Sequence, residues 1–174
     1  GEYTALVCSG AIDFAAAVDL VRFRGQVMQQ AVPLGQGAMA AILGLEDDAL
    51  AAACREAEQG EVVEPVNFNA PGQVVIAGHA SAVARAIQAA KARGAKRAVL
   101  LPVSVPSHSR LMLGAAEQLA ERLASVDVRM PDVAAVYTVD VRTHASPDGI
   151  RQALKEQLFK PVRWAETVRA MLAS

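Results

Sequence analysis

The sequence predicts an α/β fold in which a small ferredoxin-like unit, βαββαβ in order, is inserted into a larger α/β unit. Two observations carry this expectation. Between Gly35 and Val105, short apolar runs alternate with helical repeats in the order strand, helix, strand, strand, helix, strand. That order is the split βαβ arrangement, in which two helices cover one face of a four-stranded sheet. On either side the pattern mixes helices with apolar runs, and the near-continuous apolar stretch Val133 to Val139 reads as a strand needing cover on both faces. The 174 residues are 53% hydrophobic and 20% charged, a balance that supports a packed core and excludes general disorder.

From Tyr3 to Val18 the spacing predicts two helical pieces broken at Ser9-Gly10. The second runs from about Asp13 to Ala31, with Val18, Val21, Met28 and Ala31 on one face, and stops before Pro33. Arg22 and Arg24 then lie on different faces of it, so at most one of them addresses a given site. Gly37 to Leu43 is short enough for a buried strand, and Glu46 to Gln59 carries Leu50, Ala53, Cys54 and Ala57 at helical spacing. Val62 to Asn67 and Gln73 to Ala77 flank Pro71-Gly72 and read as a hairpin. Ser81 to Arg93 repeats the helical pattern through Val83, Ala86, Ile87 and Ala90 and ends at the cap residue Gly94, before a last strand from Arg97 to Val103. Beyond Pro106, Met112, Ala116, Leu119 and Leu123 mark a helix from Arg110 to Leu123. Ser146-Pro147 starts another that reaches about Phe159, by cap and first-turn proline. Trp164 to Leu172 forms the last, amphipathic helix. The expected divisions are 1–35 and 105–174 for the larger unit and 36–104 for the small one.

Several function classes are disfavoured. The net charge is −1, so there is no basic footprint for nucleic acid or for anionic lipid. No apolar run approaches the roughly 20 residues that span a bilayer, and Gly1-Glu2-Tyr3-Thr4 lacks the basic and apolar regions of a signal peptide. Cys8 and Cys54 stand far apart, which suggests neither a disulfide framework nor a zinc knuckle. A reduced cytoplasmic setting, with no metal and no cofactor, is expected.

Of the three histidines only His108 has an unusual setting, the segment Pro102-Val103-Ser104-Val105-Pro106-Ser107-His108-Ser109. This is a strand followed by a proline-fixed corner that opens a helix. An imidazole held there could act as a general base in acyl transfer, or simply start the helix with a satisfied hydrogen bond. His79 and His144 read as plain surface residues. Arg22 to Gln30 reads as a solvated helix face, although an arginine in a cleft would clamp a carboxylate through two parallel hydrogen bonds. Asn67 to Gln73 reads as a hairpin loop, and Gly35-Gln36-Gly37 is too short for a phosphate loop.

Five separated stretches, in order, alter this balance: Gly1-Glu2-Tyr3-Thr4-Ala5-Leu6, Arg24-Gly25 with Met28-Gln29, Pro65 to Gly78 (PVNFNAPGQVVIAG), Pro102 to His108 (PVSVPSH), and Gln157-Leu158-Phe159 with Pro161-Val162-Arg163-Trp164. Together they resemble the bacterial malonyl-CoA:acyl carrier protein transacylases over essentially the whole chain. That family carries its nucleophile in a Gly-His-Ser-Leu-Gly-Glu elbow. Gly1-Glu2 resembles the end of that motif, so the resemblance places the serine two residues before Gly1, outside this chain. The earlier strands, one with an active-site glutamine, and the backbone donor of the oxyanion hole fall outside it too. The larger unit is then a partial hydrolase-like subdomain.

The resemblance implies that His108 is the general base and that Gln157 orients it through a backbone carbonyl. It implies that Arg24 pairs with the free carboxylate of the malonyl group and that Met28 and Ser107 line the acyl pocket. The partners implied are malonyl-CoA and acyl carrier protein, the complete protein being a monomer, and the 174 residues alone are expected to be inactive. The alternatives are the acyltransferase domain of a polyketide or multidomain fatty-acid synthase, which shares serine, arginine and histidine, and a non-catalytic module that docks acyl carrier protein. Sequence continuing past Ser174 into a carrier or reductase domain would favour the first. A start codon at this position would favour the second.

Overall fold

The structure, a computed structural model, describes residues 1–103 and 105–173. Ser104, the expected end of the small unit and part of the motif before His108, lies outside the described residues. Chain order is α1 (Glu2–Cys8), α2 (Phe14–Gln30), β1 (Gly37–Leu43), α3 (Asp47–Glu58), β2 (Val63–Ala70), β3 (Gln73–His79), α4 (Ala80–Ala92), β4 (Arg97–Leu100), a 3₁₀ turn (Arg110–Met112), α5 (Leu113–Ala124), α6 (Pro147–Glu156) and α7 (Trp164–Leu172).

The four strands form one antiparallel sheet in the order β2-β3-β1-β4. Side chains alternate across it. Ala38, Ala40 and Ile42 of β1 and Val74 and Ile76 of β3 pack with Leu50, Ala53, Cys54 and Ala57 of α3 and Ala82, Val83, Ala86 and Ala90 of α4. The intervening Met39, Val75 and Ala77 form a separate cluster with Val66 on the opposite face. A third cluster joins α1, α2, α5 and α6 through Leu6, Leu20, Val27, Met112, Leu119, Ile150 and Leu154. Asp13 caps α2, its carboxylate accepting from the Ala15 and Ala16 N–H groups, and the Ser146 hydroxyl caps α6 by accepting from Gly149.

Gly78 lies in β3 where the chain passes closest to Val62. A Cβ there would meet the Val62 carbonyl oxygen at 2.0 Å and the Val63 Cα at 2.7 Å. That same carbonyl accepts from the His79 N–H at 2.8 Å, so it cannot withdraw cheaply. Gly78→Ala should destabilise the full-length protein by about 2–3 kcal/mol through overpacking, read as a lowered urea midpoint.

Four expectations are corrected. Val133 to Val139 is not a strand: Val133 is 71% exposed, and only Tyr137 forms an isolated bridge, to Arg142. The segment lacks a ladder because no described strand lies beside it; the Thr138 N–H is taken instead by the Glu2 carboxylate. On α2 the buried positions are Ala17, Leu20, Val27 and Met28, while Val18 and Val21 are exposed. The stripe is rotated because it follows the packing against α5 and not the most β-branched positions. β4 ends at Leu100, short of Val103. His79 and His144 are half-buried and engaged: His79 Nδ1 accepts from the Val62 N–H at 2.9 Å, and His144 sits edge-on to Tyr137 with its Nε2 3.2 Å from Asp140.

Candidate active site

Arg24 stands in the middle of the buried stripe of α2, one turn from Leu20 on one side and from Val27 and Met28 on the other. It is half-buried, whereas Arg22 points to solvent. One of its Nη2 hydrogens goes to Gln157 Oε1 at 3.0 Å, and its Nε is buried without a hydrogen-bond partner among the described residues. A buried cationic donor left open in this way is costly unless something binds it, and the group that suits the open edge of a guanidinium is a carboxylate. Beside it, burial pushes the Tyr3 phenol up to about 12, with the Arg24 charge opposing.

His108 occupies the corner after β4. Its φ is +64°, an uncommon conformation for a residue with a side chain, and two bonds hold it there. Its N–H donates to the Leu158 carbonyl at 2.9 Å, and its Nδ1 lies 2.6 Å from the Gln157 carbonyl. The corner is stiffened by the Ser109 hydroxyl, which donates to the Pro106 carbonyl at 2.6 Å, and by Arg110, whose N–H donates to Glu64 and whose guanidinium pairs with Glu58. A carbonyl can only accept, so Nδ1 carries the proton and Nε2 keeps its lone pair for a substrate or nucleophile. Burial, chiefly, pushes the His108 pKa below its ordinary value; the nearby Arg24 charge adds to this and the Gln157 bond opposes it. The ring is therefore neutral, ready to accept a proton, at physiological pH.

Gln157, in the turn after α6, joins the two. Its backbone oxygen receives His108, its side-chain oxygen receives Arg24, and its Nε2 donates to Glu2 Oε2 at 2.6 Å. Glu2, 7% exposed, also accepts from the Thr138 N–H and hydroxyl, both at 2.9 Å. The turn is braced against β2: the Val162 N–H donates to the Val66 carbonyl and the Phe68 N–H to the Val162 carbonyl, at 2.8 and 2.9 Å. The Asn67-Phe68 and Pro161-Val162 motifs thus meet in space. Glu2, Tyr3, Arg24, His108, Thr138 and Gln157 share one cleft of about 710 Å³, with Trp164 and Met171 at its apolar side.

Three of the five expected site residues, Arg24, His108 and Gln157, are brought together. Met28 is 7% exposed in the core and Ser107 is half-buried beside the base; neither lines this cleft. Sequence reasoning missed Glu2 and Thr138. The first was visible only as the end of a motif, and the second carried no local signal.

The chain matches the acyl transferase domain family model over residues 1–174. The chain belongs to the acyl transferase domain family. It is 59% identical over 173 residues to the malonyl CoA-acyl carrier protein transacylase of Escherichia coli K12, covering 99% of this chain and 56% of that protein. A crystal structure of an acyl carrier protein S-malonyltransferase from Vibrio cholerae superimposes with a TM-score of 0.97 at 58% identity, covering 99% of this chain and 56% of that one. A malonyl-transacylase in complex with its type II PKS acyl-carrier protein superimposes with a TM-score of 0.98 at 53% identity, again over 99% and 56%. This acyl transferase chain therefore spans about half the length of the relatives it matches. No helix among its described residues is long and apolar enough to cross a membrane.

Proposed function

We propose that the protein carrying this chain transfers a malonyl group from malonyl-CoA to the phosphopantetheine thiol of acyl carrier protein, in the cytoplasm, through a seryl ester. The observation that carries the reading is the pair of bonds through which Gln157 holds an imidazole and a guanidinium in one cleft, 2.6 Å from His108 Nδ1 and 3.0 Å from Arg24 Nη2. An acyl transferase acting on a charged acyl group needs both, a base for the nucleophile and a cation for the carboxylate.

His108 Nε2 takes the proton of the serine hydroxyl as its oxygen attacks the thioester carbonyl. The tetrahedral intermediate collapses, the carbon–sulfur bond breaks, and the imidazolium returns the proton to the departing CoA sulfur. The carrier thiol then gives its proton to Nε2 and attacks the seryl ester, which restores the serine. Throughout, the Gln157 carbonyl stabilises the imidazolium, filling the place an aspartate takes in other triads. Arg24 holds the malonyl carboxylate.

In this reading residues 36–104 are a ferredoxin-like unit and residues 1–35 and 105–174 belong to a hydrolase-like one. The strand order β2-β3-β1-β4, with both helices on one face, and the separate core of α1, α2, α5 and α6 support it. The serine itself is not among these 174 residues, which contain no Gly-His-Ser-Leu-Gly-Glu run. Full-length protein incubated with radiolabelled malonyl-CoA should acquire a stable label that a carrier thiol removes, and a polypeptide of residues 1–174 alone should acquire none. An unlabelled full-length protein, or a labelled 1–174 polypeptide, would overturn the reading.

A further inference from the structure

We propose that Glu2 is a positioning residue for acyl selectivity: its buried carboxylate fixes which way the Gln157 amide points, and through it where the Arg24 guanidinium sits. The inference rests on the malonyl-transfer reading and adds a residue and a mechanism to it.

A carboxylate 7% exposed must be compensated. No lysine or arginine pairs directly with Glu2 among the described residues; its partners are three neutral donors, the Thr138 N–H and hydroxyl on Oε1 and the Gln157 amide nitrogen on Oε2. Its charge is linked to a cation through Gln157, which also accepts from Arg24. A carboxylate accepts and never donates, and a guanidinium donates and never accepts. Placed between the two, the Gln157 amide has one satisfied orientation, nitrogen to Glu2 and oxygen to Arg24. The same residue's backbone oxygen holds His108. One glutamine thus aligns the cation with its side chain and the base with its main chain, and Glu2 controls only the former.

Removing the charge without changing the shape breaks this logic. In Glu2→Gln, one side-chain terminus becomes a donor. If that NH₂ faces Gln157, the Gln157 amide turns over and presents its own NH₂ to Arg24; if it faces Thr138, two donors oppose each other there. Arg24 is no longer held at Nη2 in the first case, and Thr138 is displaced in the second. The displacement of Thr138 opposes the second arrangement, and in the first the carboxylate site degrades while His108 keeps its bond to the Gln157 carbonyl.

The test uses full-length protein and compares kcat/KM for malonyl-CoA and acetyl-CoA, with thermal midpoints to establish folding. Glu2→Gln should lower the malonyl-to-acetyl ratio about tenfold, mainly through the malonyl KM, with acetyl transfer changed less than threefold. Gln157→Met, which keeps the backbone carbonyl, should lower the ratio similarly, and adding Glu2→Gln to it should lower the ratio no further, since coupled residues are not additive. If Glu2→Gln fails to fold, the Gln157→Met ratio decides. An unchanged ratio, equal losses with both substrates, or additive effects would overturn the proposal. Wild-type protein that does not transfer malonyl would sink the underlying reading as well, whereas an Arg24→Ala variant that loses malonyl preference beside an indifferent Glu2→Gln would sink this inference alone.

Discussion

Replacing His108 with alanine in the full-length protein should reduce malonyl transfer on the order of 10³-fold or more, the scale on which removing a triad base acts. The loss should fall on kcat, because the ring takes and returns the proton at both halves of the reaction and has no part in holding the carboxylate. Folding should survive. The bond from the His108 N–H to the Leu158 carbonyl is made by the backbone and stays; alanine keeps the positive φ and loses the Nδ1 bond to the Gln157 carbonyl, a local cost that lowers the thermal midpoint without unfolding the protein.

The wild-type pH profile checks the assignment independently. The free base is the active form, and burial together with the Arg24 charge disfavours the imidazolium. The neutral ring therefore persists to lower pH than a solvated histidine allows. The acid limb of kcat/KM should have its midpoint below the ordinary imidazole value of about 6.5.

Much of this arrangement was legible in the chain, for reasons that differ from element to element. β1 and α3 were readable because Ala38, Ala40 and Ile42, and Leu50, Ala53, Cys54 and Ala57, are buried by contacts within the small unit. Periodicity reports burial faithfully when the covering surface is local. It failed at Val133 to Val139, where an apolar run has no described neighbour to pair with and the backbone turns instead to Glu2. It also failed on α2, where Val18 and Val21 attract attention by composition but Leu20, Val27 and Met28 make the contacts. That buried stripe carried an unused signal: Arg24 stands within it, and a charge at the centre of an apolar face is out of place unless it has a task. Glu2 offered no comparable clue. Its partners Thr138 and Gln157 lie 136 and 155 residues away, and no spacing rule links positions that only the fold brings together.

Arg24 is the second residue whose replacement should have a large effect, and here the pattern of loss matters more than its size. A charge-assisted, forked contact with a carboxylate contributes about 1.5–3 kcal/mol, so Arg24→Ala should reduce kcat/KM for malonyl-CoA roughly 10- to 150-fold. Acetyl-CoA presents no charge to pair, so its transfer should be nearly unaffected. Arg24→Lys should recover only part of the loss, since an ammonium keeps the charge but not the fork. A second consequence follows from the same cation. Burial is the main cause of the lowered His108 pKa and the Arg24 field adds to it, so Arg24→Ala should move the acid limb of the acetyl reaction modestly upward, towards the ordinary imidazole value. A purely structural arginine would depress both substrates alike and leave that midpoint where it was. Measuring the two ratios and the midpoint on one set of variants separates a carboxylate clamp from a packing residue.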